Sequence, residues 1–341
     1  MIKKRISLDD VAKEANVSVS TVSRVINNEK FISDDVRERV NKAVKKFNYQ
    51  PQWVARSLRT RKTNIIAIII SNIQDYWSAG IVRGIEEYIR DKNKNLIIFN
   101  TDNSTEREKV SINLALNRNV DGIILETVTK DGKFIEGVIN DYGVPIAIID
   151  NKIDVNNADF ILSDDTNGSY KLVNHLIQVH KLKKVSCICG DLEESSGLDK
   201  VLGYKKALIE NGIKIEESLI KEAFWNLKMA YKCTGELFSS DDKPDAIFCS
   251  STDIAIGAVR FLNDNKIKIP DDVAVVSFDD SEFIRAFNPP LTVLGGVENK
   301  IGRKAAELLN LRIESEINNN YEIVKIESDI VIRKSCGCNN N

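Results

Sequence analysis

The segment Val17–Asn28 reads VSVSTVSRVINN and places one strong cation, Arg24, among small hydroxyl residues. Apolar residues return at helical intervals in this segment and in both of its neighbours, so we predict three short helices. The first, SLDDVAKEA, begins at the N-cap candidate Ser7, and the third, SDDVRERVNKAVKKFNY, begins at Ser33. Two short helices that are joined by a tight turn and braced by a third are typical of a helix-turn-helix, whose second helix enters a major groove of DNA.

The second predicted helix has an inner and an outer face. Ala12, Val17 and Val22, at five-residue steps, are expected at the corner where the first two helices cross, and Asn16 would tolerate a left-handed conformation if the turn needs one. Hydroxyl groups bond phosphate oxygens and base edges, and arginine pairs with guanine through two hydrogen bonds. The pattern favours a DNA-contacting helix over its alternative, a solvated helix in an ordinary three-helix cluster. The outward residues are Val19, Ser20, Ser23, Arg24 and Asn27.

A short basic segment follows at residues 48–63, with the sequence NYQPQWVARSLRTRKT. It is predicted to be helical after Pro51 but too short to be stable alone. Its apolar Leu58 suits insertion into a minor groove, where it would wedge a base step apart; the alternative is a linker with Leu58 packed on the body. Residues 1–63 hold 15 Lys and Arg against 7 Asp and Glu, whereas the remainder holds 33 against 43. This asymmetry predicts a polyanionic partner for the first segment only.

After residue 63, apolar runs of strand length alternate with amphipathic helical stretches. Continuous Val and Ile runs between helices indicate parallel strands that are buried on both faces, and two such series predict two doubly wound α/β lobes. Ligands of such sheets bind beyond the carboxyl ends of the strands. In this chain the apolar runs are followed by the polar segments SNIQDYW, NTDNS, DNKID, GDLEESS, SSTD and FDDSE.

Composition excludes several other kinds of protein. No run of about 18 apolar residues exists, and the N-terminus lacks the apolar region of a secretory signal. Six cysteines without a Cys-x-x-Cys pair predict buried, reduced thiols and a cytoplasmic location. The terminal Cys-Gly-Cys offers only two ligands and does not close a tetrahedral site, so no metal is predicted. His175 and His180, five residues apart, do not share a helical face and are expected to be surface or hydrogen-bonded residues.

The sequence does not predict an enzyme. The phosphate loops GxGxxG and GxxxxGK[ST] are absent, and the turn GDLEESSG is too acidic for phosphate. Adjacent acids such as Asp279 and Asp280 point in different directions, which argues against a two-carboxylate catalytic site. We therefore predict no catalytic residue and no cofactor.

Four segments together resemble the LacI/GalR family of bacterial transcription regulators: SLDDVAKEANVSVSTVSRVINN, NYQPQWVARSL, LGYKKAL and FDDSEFIRAFNPPLTVL. The resemblance covers essentially the whole chain. It implies an all-α helix-turn-helix headpiece, a hinge helix and a two-lobed core that is similar to periplasmic sugar-binding proteins. The implied ranges are 1–50 for the headpiece, 51–62 for the hinge, 63–162 and 292–324 for the N-terminal lobe, and 163–291 and 325–341 for the C-terminal lobe.

The same resemblance implies which residues contact DNA. Val19 and Ser20 match the pair that reads bases, and Arg24 matches the arginine of the family's SRV element. Leu58 matches the leucine that wedges into the operator centre, with Ala55 beside it in the minor groove. Phosphate- or groove-contacting positions are matched by Ser7, Thr21, Ser23 and Asn27, and Gln52 stands in the hinge where Asn is common.

Other matches fall in the cleft that binds the family's effectors. Tyr76 and Trp77 match an aromatic pair that would stack on a sugar-like ring. Lys200 stands where many sugar-binding members have arginine, and it offers charge without a bidentate fork. In STDIAIG the usual Asn-Asp pair is replaced, beginning at Ser251, and an acid moves to Asp253. The remaining matches are Asp150, Trp225 and Asp279. For each of these residues the alternative is ordinary interlobe packing or a solvated carboxylate.

The resemblance implies a homodimeric repressor of carbohydrate-related genes that binds a near-palindromic double-stranded operator. A sugar, sugar acid or related metabolite between the lobes would control it allosterically. KVLGYKKAL also resembles the catabolite-control branch, which uses a phosphoprotein corepressor, so that alternative stays open. The alternative from another class is a small-molecule binding protein without a DNA role. A dimer is expected rather than a tetramer, because SCGCNNN lacks the added C-terminal helix of the family's tetramers.

Overall fold

The structure is a computed structural model and describes residues 6–26, 31–49, 62–239, 242–315 and 320–338. The chain divides into two compact units, Met1–Thr63 and Asn64–Asn341. The division lies at the end of the predicted hinge, so the second unit contains both predicted lobes.

The first unit contains the three predicted helices, α1 (Leu8–Ala15), α2 (Val19–Ile26) and α3 (Asp34–Phe47). Ser7 caps α1 in a capping box: its hydroxyl accepts from the amide of Asp10, and the Asp10 carboxylate accepts from the amide of Ser7. Asn16 ends α1 with φ 51° and ψ 51°, a left-handed conformation that asparagine tolerates. The helices share one apolar core, which includes Val11, Ala12, Val22, Val25, Val40 and Ala43, with Val17 packed against it.

The first sheet of the second unit is six-stranded in the described residues and parallel throughout, in the order β11-β5-β4-β3-β1-β2. Successive side chains of a strand point to opposite faces, so the run IIAIII of β1 places Ile66 and Ile68 in one apolar cluster and Ile69 in the other. The helices α4 (Tyr76–Ile89) and α12 (Glu298–Ile313) cover the first face, and α5 (Thr105–Asn117) and α6 (Lys133–Tyr142) cover the second. The strands are β1 (Ile65–Ile70), β2 (Asn95–Asn100), β3 (Gly122–Glu126), β4 (Ile146–Ile149), β5 (Asp159–Ser163) and β11 (Ile323–Ile326).

The second sheet repeats this plan in the order β12-β10-β9-β8-β6-β7, with β12 antiparallel to β10 and the other neighbours parallel. Cys187 and Cys189 of β6 pack toward α7 (Asp165–His180) and α8 (Ser195–Glu210), while Ile188 packs toward α9 (Leu227–Phe238) and α10 (Thr252–Asp264). The short helix α11 (Glu282–Arg285) follows β9. The strands are β6 (Val185–Cys189), β7 (Ile220–Glu222), β8 (Ala246–Cys249), β9 (Ala274–Ser277), β10 (Thr292–Leu294) and β12 (Ile330–Val331).

Two of the expected lobe boundaries differ from the membership of these sheets. The range 292–324 was expected in the N-terminal lobe, but Thr292 of β10 pairs with Val276 of β9 in the second sheet. Lys325 and the residue after it were expected in the C-terminal lobe, but Lys325 pairs with Leu162 of β5 in the first sheet. Strand pairing is a nonlocal contact, and a local apolar pattern does not reveal which sheet a strand joins.

Two further expectations concern membranes and thiols. Within the described residues, no helix has both the length and the apolar character that a membrane span needs. All six cysteines are free thiols, and five of them are buried, as predicted.

Candidate functional site

Helix α2 of the headpiece separates an apolar face from a polar one. Val22 and Val25 are buried in the headpiece core. The opposite face carries the predicted DNA contacts at the surface, and even its apolar member Val19 is 39% exposed. The side chains on the outer face are Val19, Ser20, Thr21, Ser23 and Arg24, of which Thr21 and Ser23 are half-buried.

Ser18 organises the beginning of α2, although it was not among the predicted DNA contacts. Its hydroxyl accepts a hydrogen bond from the amide of Thr21 at 3.1 Å, as an N-cap does. The same hydroxyl lies 2.8 Å from the hydroxyl of Ser20 and 2.8 Å from that of Thr21. Two of the predicted contact residues are therefore oriented by a third hydroxyl before any DNA is present.

Ser7 was predicted as a phosphate contact, and the structure places it in the capping box of α1. Its hydroxyl donates to Asp10 at 2.7 Å, so its proton is used within the helix. A phosphate contact by Ser7 would rely on the helix N-terminus that it caps. The predicted contacts Asn27, Gln52, Ala55 and Leu58 lie outside the described residues.

A cleft opens where the carboxyl ends of the two sheets face each other. It encloses about 700 Å³, including the part that is open to solvent, and it is lined from both lobes. This position is where doubly wound sheets bind ligands, because loops from successive strands converge there. The side chains that the loops bring together are polar, apart from Trp77, Val128 and Trp225.

Most of the predicted effector residues line this cleft. Tyr76 does not, although it precedes Trp77 directly. Both residues lie at the start of α4, where successive side chains diverge by about 100°, so the two rings do not face one cleft together. The predicted residues that do line it are Trp77, Asp150, Lys200, Trp225, Ser251, Asp253 and Asp279.

The two cleft tryptophans differ in their hydrogen bonding. The indole N–H of Trp225 donates to Glu194 Oε2 at 2.7 Å. The indole N–H of Trp77 is buried and has no hydrogen-bond partner in the described part of the chain. Trp225 also packs so closely on Gly190 that a Cβ there would lie 2.1 Å from the ring, so position 190 requires glycine. Trp77 therefore carries a buried donor that no group in the described residues uses, while the donor of Trp225 is already in use.

The cleft is strongly acidic. Of its seventeen described lining residues, six are Asp or Glu and only Lys200 is basic. Burial, and then the charge of Asp279, raises the pKa of Asp75 to about 7. Burial also raises the pKa of Glu194 to about 7, although the hydrogen bond from Trp225 opposes this shift. The acidic residues are Asp75, Glu126, Asp150, Glu194, Asp253 and Asp279.

Lys200 lies among aromatic rings and carboxyl groups. Its ammonium is 4.3 Å from the ring centre of Phe278, 4.9 Å from that of Trp225 and 4.0 Å from Asp165 Oδ1. Burial disfavours the charged ammonium, but the carboxyl groups of Asp165, Asp279 and Asp150 outweigh burial and raise the pKa of Lys200. The cation is thus engaged by the protein itself, and only part of it faces the cleft.

Glu126 ties three elements of the first lobe together beneath the cleft. It is 3% exposed and accepts from the Ser71 hydroxyl at 2.7 Å, the Ser71 amide at 3.1 Å and the Ser78 hydroxyl at 2.8 Å. Burial, and then the charge of Asp150, raises the pKa of Glu126 to about 8. Because these donors come from the end of β1 and from α4, Glu126 fixes the cleft wall and is itself largely satisfied.

Comparison with known protein families gives a match in each of the two units. A family model described as bacterial regulatory proteins, lacI family, matches residues 7–52, and one described as a periplasmic binding protein-like domain matches residues 173–336. The ribose operon repressor of Haemophilus influenzae is 32% identical over 329 residues, which cover 96% of this chain and 98% of that protein. The chain belongs to the LacI family.

Other LacI-family relatives agree with this assignment. The HTH-type transcriptional repressor PurR of Histophilus somni is 30% identical over 329 residues, covering 96% of this chain and 98% of that protein. A crystal structure of the Lac repressor dimer, bound to operator and the anti-inducer ONPF, has a TM-score of 0.86 at 23% identity and covers 98% of this chain and 99% of that one. The latter confirms the predicted fold. The relatives are DNA-binding transcriptional repressors, which confirms that the chain is a regulator and not an enzyme.

In this LacI-family chain the two lobes touch beside the cleft. The side-chain oxygen of Asn151, from the first lobe, accepts from the amide of Ser196 at 3.1 Å. The amide of Lys152 donates to the hydroxyl of Ser195 at 2.7 Å. Lys130, also from the first lobe, pairs with Asp191 at 3.2 Å and with Glu193. The contacts between the two lobes beside the cleft are therefore concentrated at the N-terminal end of α8 and in the loop that precedes it.

Several lining residues were not predicted individually. Most of them follow directly after strands, within the polar segments that the sequence shows at those positions. Their position after a strand therefore indicates that they line the cleft. Glu126 is the last residue of β3 and lies in an apolar run that marks it as strand. The unpredicted polar members include Ser71, Asn72, Asp75, Asn103, Glu126, Thr127, Asn151, Glu194 and Ser196.

Proposed function

We propose that this chain represses carbohydrate-related genes under the control of a small ligand bound between its lobes. The headpiece would read one half of a near-palindromic operator within a homodimer, and the ligand would alter the spacing of the two hinges. The observation that carries ligand control is the interlobe cleft, where Trp77, Trp225 and six carboxyl groups face one space.

The charges of the cleft favour a neutral polyhydroxylated ligand such as a sugar. Each cleft carboxyl group offers hydrogen-bond acceptors, and an ionised one only accepts, so a ligand that supplies many donors fits among them. A sugar acid would bring a further negative charge beside carboxyl groups whose pKa values are already raised. Lys200 would not offset that charge fully, because its ammonium is already engaged by Asp165 and two aromatic rings. Two buried donors of lining residues, the Trp77 indole and the Ser196 hydroxyl, have no partner in the described residues, so a ligand whose oxygens reach them would gain two hydrogen bonds. The ribose operon repressor among the relatives supports a sugar ligand. The relatives named PurR do not add to this support, because their name refers to no sugar.

For DNA, the exposed face of α2 would enter the major groove, with Val19, Ser20 and Arg24 directed at base edges. The apolar Val19 suits a thymine methyl group. Leu58 and Ala55 of the hinge would occupy the central minor groove, with Leu58 unstacking a step and bending the duplex. Such a regulator acts where the bacterial chromosome lies, in the cytoplasm.

The interlobe contacts supply the physical link between the ligand and the operator. A ligand that displaces the Asn151–Ser196 contact would change how the two lobes sit relative to each other. The predicted hinge, residues 51–62, leads into β1 of the first lobe, so such a change would reach the hinge. Allosteric couplings of about 1–3 kcal/mol change an affinity roughly 5- to 150-fold, which suffices for a switch.

The test begins with selection of a random duplex library on the full-length protein. A near-palindromic site should be enriched, and its affinity is then measured with neutral sugars (ribose first), sugar acids and nucleobases. We expect a response to a neutral sugar. Asp279→Asn should weaken that response at least about tenfold while leaving the sugar-free operator affinity unchanged, since Asp279 lies in the cleft.

The outcomes separate the parts of the proposal. Failure to enrich any palindrome, with or without metabolites, contradicts operator recognition. Enrichment combined with a response only to sugar acids or nucleobases keeps the repressor and overturns the neutral-sugar assignment.

A further inference from the structure

Four metal-ligating side chains meet at the far end of α7, away from the cleft. The ligand atoms of His175, His180, Cys336 and Cys338 all lie within 4.8 Å of one another. Cys338 Sγ is 3.3 Å from His180 Nε2 and 3.7 Å from His175 Nε2. The two imidazole rings meet edge to face, with centres 5.2 Å apart.

The fold supplies what each half of this cluster lacks in sequence. The Cys-Gly-Cys pair alone has two ligands, and the histidines alone have five-residue spacing. A short 3-10 helix, Lys334–Cys336, brings the final described segment against the last turns of α7. Gly337 then turns with φ 100°, a conformation that favours glycine and carries both thiols to the histidines.

Cys336 is held rigidly on the second sheet. It is 2% exposed, and the hydroxyl of Thr292 in β10 lies within hydrogen-bond distance of its sulfur, at 3.1 Å. The neighbouring Ser335 donates to the carbonyl of Val275 and accepts from the amide of Thr292 at 2.8 Å. The sulfur is therefore preorganised by groups around it, as the ligands of structural metal sites are.

We propose that His175, His180, Cys336 and Cys338 form a closed tetrahedral zinc site. Two thiolates and two imidazoles are a set that zinc takes in structural sites, with Zn–S of about 2.3 Å and Zn–N of about 2.0–2.1 Å. A tetrahedral ion with these bonds separates its sulfur and nitrogen ligands by roughly 3.5 Å. The two measured sulfur–nitrogen distances, 3.3 Å and 3.7 Å, lie on either side of that value. Four protein ligands leave no open position, so the role is structural.

The site would fasten the C-terminal end of α7 to the final segment of the chain. That segment also carries Arg333, which donates to Asp280 Oδ2 at 2.9 Å beside the cleft residue Asp279. Metal binding contributes to folding free energy when the site exists only in the folded state. We therefore expect the zinc-loaded protein to unfold at a higher temperature than the metal-free protein.

The test uses the full-length chain, purified under reducing conditions without chelator. Elemental analysis should give about one zinc per chain, and dialysis against a chelator should remove it and lower the unfolding temperature. Cobalt(II) added to the metal-free protein should produce the visible bands of a tetrahedral ion and thiolate-to-cobalt absorption. Cys338→Ser should lose the zinc and the thiolate bands in large part, whereas Cys233→Ala, which removes a thiol of the same lobe outside the cluster, should retain both.

Two results would overturn the site. One is wild-type protein that contains no zinc above the level of Cys338→Ser and gives no thiolate–cobalt absorption. The other is loss of the free thiols of Cys336 and Cys338 to a disulfide under the reducing conditions of purification. The cobalt titration of the wild type decides the question even if a variant fails to fold.

Discussion

The two cleft tryptophans allow a matched test of the hydrogen-bond assignment. Trp225→Phe removes an indole N–H that donates to Glu194 at 2.7 Å, and Trp77→Phe removes one that is buried without a partner in the described residues. The chemical change is the same at both positions. Trp77, at 9% exposure, is the more buried, so packing alone predicts that Trp77→Phe is the more damaging variant. We expect the opposite order.

The expected magnitudes follow from the bonds that are lost. A hydrogen bond to a charged group contributes about 1.5–3 kcal/mol, and Trp225→Phe loses it. An unsatisfied buried donor costs about 1–3 kcal/mol, so Trp77→Phe removes a penalty that offsets its loss of packing. The variants should therefore differ by about 2 kcal/mol, or roughly 3–4 °C in Tm for a unit as long as Asn64–Asn341.

The assay is thermal unfolding of the full-length variants at about pH 8, where Glu194, with its pKa of about 7, is mostly ionised. Repeating it at about pH 6 should reduce the difference, because a protonated Glu194 is a weaker acceptor. If Trp77→Phe is destabilised as much as Trp225→Phe, or more, then packing dominates and the hydrogen-bond reasoning is refuted.

Three further predictions concern pH and the headpiece. Burial raises the pKa of Asp75, Glu194 and Glu298 to about 7, so above about pH 4 these groups hold protons in the folded state that they lose in the unfolded state. The Tm should therefore fall as pH rises from about 5.5 to 8.5, and an increase in Tm over this range would contradict these shifts. Asn16→Ala should lower the stability of the headpiece by about 1 kcal/mol because φ at this position is 51°, whereas Asn16→Gly should not. The readout is the temperature at which operator binding is lost. An equal drop of this temperature in both variants would argue against backbone strain at position 16. Arg24→Ala should cost about 1–3 kcal/mol of operator affinity and relax discrimination at one base pair, whereas equal weakening on all sequences would mark a phosphate contact.

Much of the fold follows from local pattern. The helical spacing of apolar residues and the N-cap candidates predicted the three helices of the headpiece, and the run IIAIII predicted a strand that is buried on both faces. Most matched cleft residues do line the cleft, because strand ends converge in any doubly wound sheet. Tyr76 does not line the cleft, because successive side chains on α4 diverge by about 100° and its neighbour Trp77 is the one that lines it.

Other features depend on contacts between residues that are far apart in the chain. The sequence identifies Lys200 as a cation, but the distances to Asp165 and Phe278 show that the protein already engages it. Likewise, nothing local distinguishes the satisfied indole of Trp225 from the unsatisfied one of Trp77.

Periodicity, caps and charge along the chain were thus enough to specify a basic helix-turn-helix and two parallel-sheet lobes, since these features arise from neighbours within a few residues. The sheet that β10 joins, the partner of each buried polar group and the meeting of Cys336 and Cys338 with two histidines about 160 residues away emerge only when the sheets assemble. The physical reason is that strand pairing and side-chain packing act through space, and the topology of the whole core sets which distant residues become neighbours.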